Sequence, residues 1–264
     1  MRPTRLPRVV IAAPASGQGK TTIAVGIMAA LTRAGHVVSP AKVGPDYIDP
    51  GYHALATGRP GRNLDPWLTS EELIVPLLLH GARTPAPADV AVIEGVMGLF
   101  DGRIGTGGFA STAHLATLTR TPVVLVADIS SAARTIAATL HGLRTFDPAV
   151  DVVGVILNKS GSARHAHEVR SSVEATGLPV LGVLPRDAGV SAPSRHLGLI
   201  PAAERSPEAR EAVSAMTALA AAAIDLDGVV GAARSSVSSA AGGPSPGSAA
   251  ITGSAPPQLP GRRN

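Results

Sequence analysis

The chain has 264 residues, 45% of them hydrophobic and 16% charged, with a formal net charge of +4 and no cysteine. The missing cysteines exclude a disulfide framework, a thiolate metal site and a cysteine nucleophile, and they fit a reducing, cytoplasmic setting. Part of the positive excess sits at the ends, in Arg2, Arg5, Arg8, Arg262 and Arg263, so no basic face points to nucleic acid, and no run of about 18 apolar residues points to a membrane span.

In chain order, Arg8 to Ala13 reads as a buried strand. Arginines before an apolar run follow the order of a signal peptide, but Val9 to Ala13 is too short for its apolar core. Lys20 to Ala34 reads as a helix, with Ile23, Ile27 and Leu31 at i, i+4 and i+8 and Gly35 as its stop. His36 to Val43 is a second strand. Ser70 to His80 suggests a helix with Ser70 as N-cap and Pro76 as a source of a kink. Asp89 to Glu94 and Pro122 to Asp128 are the third and fourth strands. A helix from Ser130 to Arg144 follows. Val152 to Leu157 and Pro179 to Leu184 are the fifth and sixth strands, with a helix near Ala163 to Thr176 between them. Glu208 to Ile224 is a final Ala-rich helix.

Wholly apolar strands separated by helices indicate a mainly parallel sheet covered on both faces, a three-layer α/β sandwich. Its ligands bind beyond the carboxyl ends of the strands. Residues 1–228 are expected to form this domain. From residue 229 the chain is mostly Ala, Ser, Gly and Pro and is expected to be a flexible tail, being too poor in apolar surface to offset the entropy of ordering.

The segment from Ala13 to Thr22 follows the first strand and opens the first helix, where a phosphate-binding loop belongs. Gly17 and Gly19 let the backbone, with Gln18 between them, curl against phosphate oxygens, and the helix N-terminus favours negative charge. Lys20 is placed to reach the β and γ phosphates, Thr21 to bind Mg²⁺, and Thr22 lies beside it. Pro14 stands where the strict G-x-x-x-x-G-K-[ST] pattern has its first glycine. The loop resembles instead the variant of the dethiobiotin synthetase and chromosome-partitioning ATPase superfamily, with Ala13 at a position where that group often has glycine.

Two carboxylates end apolar strands. Glu94 can reach the metal shell, and its burial calls for a cationic partner. Asp128 has the same placement but can equally cap the helix expected near Ser130. The stretch Lys42 to His53 packs a cation, two carboxylates, two tyrosines and a histidine into one loop, with Gly44-Pro45 and Pro50-Gly51 as turn signals. Of the six aromatic residues in the chain, Tyr47, Tyr52, Trp67, Phe100 and Phe109 fall after the second and third strands, which suggests a surface for a large flat ligand.

Gly44-Pro-Asp-Tyr-Ile-Asp-Pro-Gly-Tyr-His53, Ala56-Thr-Gly-Arg-Pro60, Asn63-Leu-Asp65, Glu94 to Gly102, Gly154 to Asn158, Gly182 to Asp187 and Arg195 to Pro201 resemble the signature of cobyrinic (or hydrogenobyrinic) acid a,c-diamide synthases. The resemblance covers about residues 7 to 205. It implies an ATP- and Mg²⁺-dependent, glutamine-using ligase that amidates the a and c side chains of a corrin ring. By matching motifs it implies that Lys20, Thr21 and Thr22 serve phosphate and metal, and that Lys42 bridges γ-phosphate and substrate carboxylate. Asp46 and Glu94 then act as metal or phosphate-transfer carboxylates. Tyr47 and Asp49, with His53 beside them, lie on the substrate side, although His53 read by itself can equally be a hydrogen-bonded structural residue, and Asn158 reads adenine. A homodimer is an expectation at the level of the family alone.

That family carries a second half, a glutaminase domain with a catalytic cysteine, which this sequence lacks. Three explanations stand open: a fragment, a separate glutaminase chain, or use of free ammonia. Other readings of the same phosphate loop are a partitioning-type ATPase switch, the related cobyric acid synthase, and a remnant without activity.

Overall fold

The computed structural model describes residues 6–186 and 206–238. The expected Arg195 to Pro201 block therefore lies outside the described residues. Seven strands are described: β1 Arg8–Ala12, β2 Val38–Val43, β3 Arg62–Leu64, β4 Val90–Glu94, β5 Val123–Asp128, β6 Val152–Ser160 and β7 Val180–Pro185. They form one sheet in the order β3-β2-β4-β1-β5-β6-β7, and every strand pair is parallel. The helices are α1 Lys20–Arg33, α2 Asp49–Thr57, α3 Glu71–Arg83, α4 Thr112–Thr119, α5 Thr135–Thr145, α6 Ala163–Glu174, α7 Ser206–Ala223 and α8 Leu226–Ser238.

Alternation along the strands divides the core in two. Val9 and Ile11 point to one face, where they meet Ile23 and Ile27 of α1, Tyr52 and Ala56 of α2, Met216 and Ala220 of α7, and Val229 and Val230 of α8. Val10 and Ala12 point to the other, against residues of α3 (Ile74, Leu78), α4 (Leu115), α5 (Leu140) and α6 (Val169, Val173). The expected three-layer sandwich is what the chain builds. The strand order reverses at β1, so the phosphate-loop candidate sits at the switch point of the sheet, where a crevice forms.

Several elements differ from the sequence reading, each for a physical reason. The Asp49-Pro-Gly sequence, taken as a turn, opens α2 instead: proline is pre-set for the first helical turn, and Gly58 closes the helix in the left-handed region at φ 67°. Thr112–Thr119 is helical, capped by the Ser111 hydroxyl accepting from His114 N. The helix expected from Ser130 starts only at Thr135, because Asp128 and Ile129 hold the intervening residues in turns. α3 continues through Pro76. The expected boundary at residues 228 and 229 falls inside α8. Val229, Val230 and Ala233 recur at helical spacing and are buried, so they supply the apolar surface that bulk composition concealed.

α1 is covered on its outer side by α7, and the crossing is close. A Cβ on Gly26 would lie 2.7 Å from the Met216 carbonyl oxygen. Gly26→Ala should therefore destabilise the fold by about 1–3 kcal/mol through overpacking. Gly142 lies within α5, where a Cβ meets nothing within 4 Å. Gly142→Ala should stabilise by about 0.5–1 kcal/mol through helix propensity. Urea unfolding midpoints of the two variants should move in opposite directions.

Candidate active site

The site is assembled at the carboxyl ends of β1, β2 and β4. Gly17 (φ 81°) and Gly19 (φ 87°) both lie in the left-handed region, which curls the loop and aims its amides at the start of α1. Open space surrounds Gly17, where an added Cβ meets nothing within 4 Å, so the loop leaves room for phosphate oxygens. Gly19 is tight from the opposite side: its Cβ would strike Asn158 Nδ2. Asn158 Nδ2 donates to the Gln18 carbonyl at 2.9 Å, and Gln18 Oε1 accepts from Asp128 N at 2.8 Å. The loop is thus fastened to the ends of β5 and β6.

Lys20 Nζ donates to the Met97 carbonyl at 2.8 Å. Burial and then the neighbouring Lys42 charge lower its pKa to about 8, against the pull of Glu94, Asp49 and Asp101. Thr21 Oγ1 donates to Glu94 Oε1 at 2.6 Å and lies 3.5 Å from Asp49 Oδ2. Thr22, next in the chain, is half-buried.

The centre of the site is Lys42, buried on β2. Its ammonium donates to Asp49 Oδ2 at 2.7 Å, Glu94 Oε1 at 2.9 Å and the Gly95 carbonyl at 3.2 Å. Those bonds use its three N–H donors. The charge expected to bridge γ-phosphate and substrate is here given to two carboxylates. Burial by itself would lower the Lys42 pKa; the Glu94 and Asp49 charges outweigh it and raise the pKa above the usual lysine value.

Glu94 is fully buried, and burial alone would raise its pKa. The Lys42 charge and the His53 and Thr21 hydrogen bonds reverse that and hold it well below the usual carboxylate range. Asp49 is pushed up to about 6, by burial first and then by the Glu94 charge, against the pull of Lys42.

The structure redistributes the remaining candidates. Asp46 uses Oδ1 to accept from Ile48 N and Asp49 N at 2.8 and 2.9 Å, while Oδ2 stands 4.0 Å from Lys42. It organises the turn that starts α2, and Asp49 takes the closer position to Thr21 and Lys42. His53, expected on the substrate side, is fully buried behind Glu94, with Nε2 donating to Oε2 at 2.7 Å. Its Nδ1 is buried without a hydrogen-bond partner among the described residues. It is therefore a correction to the sequence reading: the histidine touches Glu94, not the cleft. Tyr47 is 81% exposed at the rim. Among the described residues, Asn158 keeps one N–H and one lone pair uncommitted after bonding Gln18 O and Lys159 N.

Some participants escaped the sequence reading. Lys159 (φ 60°) pairs with Asp128 at 2.6 Å and lies 3.5 Å from the Gly17 carbonyl. It followed Asn158 directly, which was the available signal. Asp128 also accepts from Ser130 N at 2.9 Å, but this bond closes a turn and caps no helix, since α5 begins only after Arg134. Arg59, within a block noted only for resemblance, is buried and donates to the carbonyls of Gly81, Thr84 and Ala86.

The donor set suits a small hard cation. Thr21 Oγ1, Glu94 Oε1 and Asp49 Oδ2 are all oxygens, and Mg²⁺ is commonly held by one or two carboxylates plus phosphate and water. Among the described residues no three His, Cys, Asp or Glu side chains form a metal cage by themselves.

Removing the Lys42 charge should leave two carboxylates facing each other in a buried space. Lys42→Met should cost about 3–5 kcal/mol at pH 8. With no cation between them, Asp49 and Glu94 both hold protons more tightly folded than unfolded, so the penalty should shrink as pH falls toward 5. Urea denaturation at the two pH values measures the difference; an equal loss at both would show that Lys42 is not neutralising the pair.

Residues 9–200 match the family described as CobQ/CobB/MinD/ParA nucleotide binding domain. A hydrogenobyrinate a,c-diamide synthase of Thermobifida fusca is 60% identical over 230 residues, covering 87% of this chain and 48% of that protein. The protein of that name from Streptomyces coelicolor is 57% identical over 97% of this chain and 52% of its own length. A cobyrinate a,c-diamide synthase of Gloeobacter violaceus is 52% identical over 75% of this chain and 43% of its own. The chain spans about half the length of the curated relatives it matches. With its phosphate loop at the switch point of a parallel sheet and that match over most of its length, the chain belongs to the CobQ/CobB/MinD/ParA nucleotide-binding domain family.

Proposed function

We propose that this domain activates carboxylates of a corrin-ring precursor, hydrogenobyrinate or cobyrinate, by phosphoryl transfer from ATP, so that ammonia can form the a and c amides. One observation carries the reading: Thr21, Lys42, Asp49 and Glu94 converge within hydrogen-bond distances beside the phosphate loop. The names of the relatives support the substrate class.

A carboxylate is a poor acyl donor because its leaving group is oxide. Attack of its oxygen on the γ-phosphorus of ATP breaks the bond to the β–γ bridging oxygen, gives ADP and leaves an acyl phosphate. Ammonia then attacks the acyl carbon, and inorganic phosphate departs. The protein's work in this is alignment and charge neutralisation. Lys20 and the amides around Gly17 and Gly19 hold the phosphates. Lys42 keeps Asp49 and Glu94 ionised and close. His53 fixes the orientation of Glu94 from behind. Thr21 with Glu94 and Asp49 would hold Mg²⁺, which would supply neutralisation of phosphate charge. Asn158 offers its free amide edge to adenine, and Tyr47 stands on the substrate side. The nitrogen is ammonia derived from glutamine through a separate or missing glutaminase.

The test is to incubate the protein with MgATP, an ammonium salt and hydrogenobyrinate or cobyrinate, and to look for the diamide by mass. Nucleotide binding without corrin-dependent product would overturn the reading in favour of a nucleotide switch or an inactive remnant. Lys20→Ala should weaken MgATP binding about tenfold to a hundredfold. Asp49→Asn should chiefly slow corrin-dependent ADP release.

The acid–base behaviour of the two groups sets a pH window. Corrin-dependent ADP release should rise as pH climbs through about 6 and Asp49 ionises. MgATP affinity should weaken as pH rises through about 8 and Lys20 loses its proton. An affinity unchanged between pH 7 and about 9.5 would remove Lys20 from the phosphate-binding role.

A further inference from the structure

Five large apolar side chains stand exposed in the loops that follow three adjacent strands. Tyr47 follows β2. Trp67 (54% exposed) and Leu68 follow β3. Met97 and Ile104 (97% exposed) follow β4. These strands are neighbours in the order β3-β2-β4, so all five residues gather at one end of the sheet, beside Lys42, Asp49 and Glu94. Two contacts tie the loops to the site. Lys20 Nζ donates to the Met97 carbonyl, and Asn63 Nδ2 donates to the Asp46 carbonyl at 2.7 Å.

Arg103 spans this rim. Its guanidinium carbon lies 4.3 Å from the centroid of the Trp67 ring. The contact runs from the loop after β4 to the turn after β3, across the mouth of β2. Both partners are held locally: Arg103 N donates to the Phe109 carbonyl at 2.8 Å, and Trp67 N donates to Asp65 Oδ1 at 2.8 Å. Arg103 is exposed and has no carboxylate partner among the described residues. A guanidinium lying on an aromatic face keeps its in-plane N–H edge free, and that edge matches a carboxylate bidentately.

Charge balance gives this cation a purpose. The inner cluster sets the carboxylates of Asp46, Asp49, Glu94 and Asp101 against the ammonium groups of Lys20 and Lys42. An incoming polycarboxylate meets net negative charge there and needs a positive group outside the reaction centre. From this geometry we infer that Arg103, stacked on Trp67, binds a carboxylate arm of the macrocyclic substrate that does not react, while the apolar rim takes the flat ring. The inference rests on the corrin reading above and adds a specificity-determining residue to it. By fixing one arm outside the cluster, Arg103 selects which other arm reaches Lys42 and the γ-phosphate.

Trp67 is the single tryptophan of the chain, so its emission reports on this rim. The protein is titrated with hydrogenobyrinate and, separately, with a corrin whose side-chain carboxylates are already amides. Tryptophan emission and calorimetry are both read. Hydrogenobyrinate should quench Trp67 saturably, and Arg103→Gln should raise its Kd about tenfold or more. Arg103→Lys should fall between the two, because an ammonium lacks the planar fork. MgATP affinity and the melting temperature should be the same in all three proteins. The amidated corrin should bind wild type and Arg103→Gln alike. An unchanged Kd for hydrogenobyrinate in Arg103→Gln overturns the inference while leaving the ligase reading intact. Equal weakening toward both corrins overturns the carboxylate assignment in favour of packing. A wild-type protein that neither binds hydrogenobyrinate nor forms diamide overturns the ligase reading and this inference together.

Discussion

A single buried ammonium group organises the carboxyl edge of this sheet. Lys42 donates to Asp49, Glu94 and the Gly95 carbonyl, and among the described residues it is the cation in direct hydrogen-bond contact with both carboxylates. Separate, each acid would be costly to bury in its ionised form. Around the cation, the carboxylates become fixed points from which the surroundings are hung. Thr21 at the head of α1 bonds Glu94, His53 of α2 bonds it from behind, and Asp49 begins α2 itself. The first turn of the phosphate-loop helix and the helix after β2 therefore share one electrostatic centre. The alignment of Thr21 follows from that centre, while apolar contacts of Ile23 and Ile27 hold α1 on the sheet.

The same centre divides labour among residues that chemistry alone treats as equivalent. Asp46 and Asp49 are three positions apart and carry the same group. Asp46 has an oxygen committed to two backbone amides, whereas Asp49 faces Lys42 and Thr21. Burial and the Glu94 charge raise the proton affinity of Asp49, while Lys42 and His53 lower that of Glu94. Two carboxylates a few ångströms apart thus differ in charge behaviour because one is enclosed by donors and the other only partly so.

The sequence shows six of the seven described strands and the phosphate loop, since apolar runs such as Val123 to Asp128 and the loop from Ala13 to Thr22 are local signals; the short polar β3, Arg62–Leu64, carries no such run. It conceals what depends on distant partners. Pro50-Gly51 reads as a turn, yet proline at a helix start is equally at home, and only packing of Tyr52 and Ala56 against the core selects the helix. His53 sits in a polar motif that suggests solvent, and its burial follows from the helical turn that aims it at Glu94. The residues near Val229 look like low-complexity chain until their spacing meets the face formed by α1 and β1. The Arg103–Trp67 contact joins loops far apart in sequence, and no pattern within either announces it.

The close crossing at Gly26 has a temporal side. α1 carries Lys20 and Thr21 near the start of the chain, but its outer face is covered by α7, and α8 packs on β1 beneath it. On a ribosome, that cover emerges long after the helix it protects. Some 205 residues separate Arg33 from Ser238, and at about 5–20 residues per second the wait is on the order of 10–40 s. Through that interval the helix behind the phosphate loop shows its apolar outer side to solvent. The helix that carries Lys20 and Thr21 therefore gains its α7 cover only after the site residues on β1, β2 and β4 have been made.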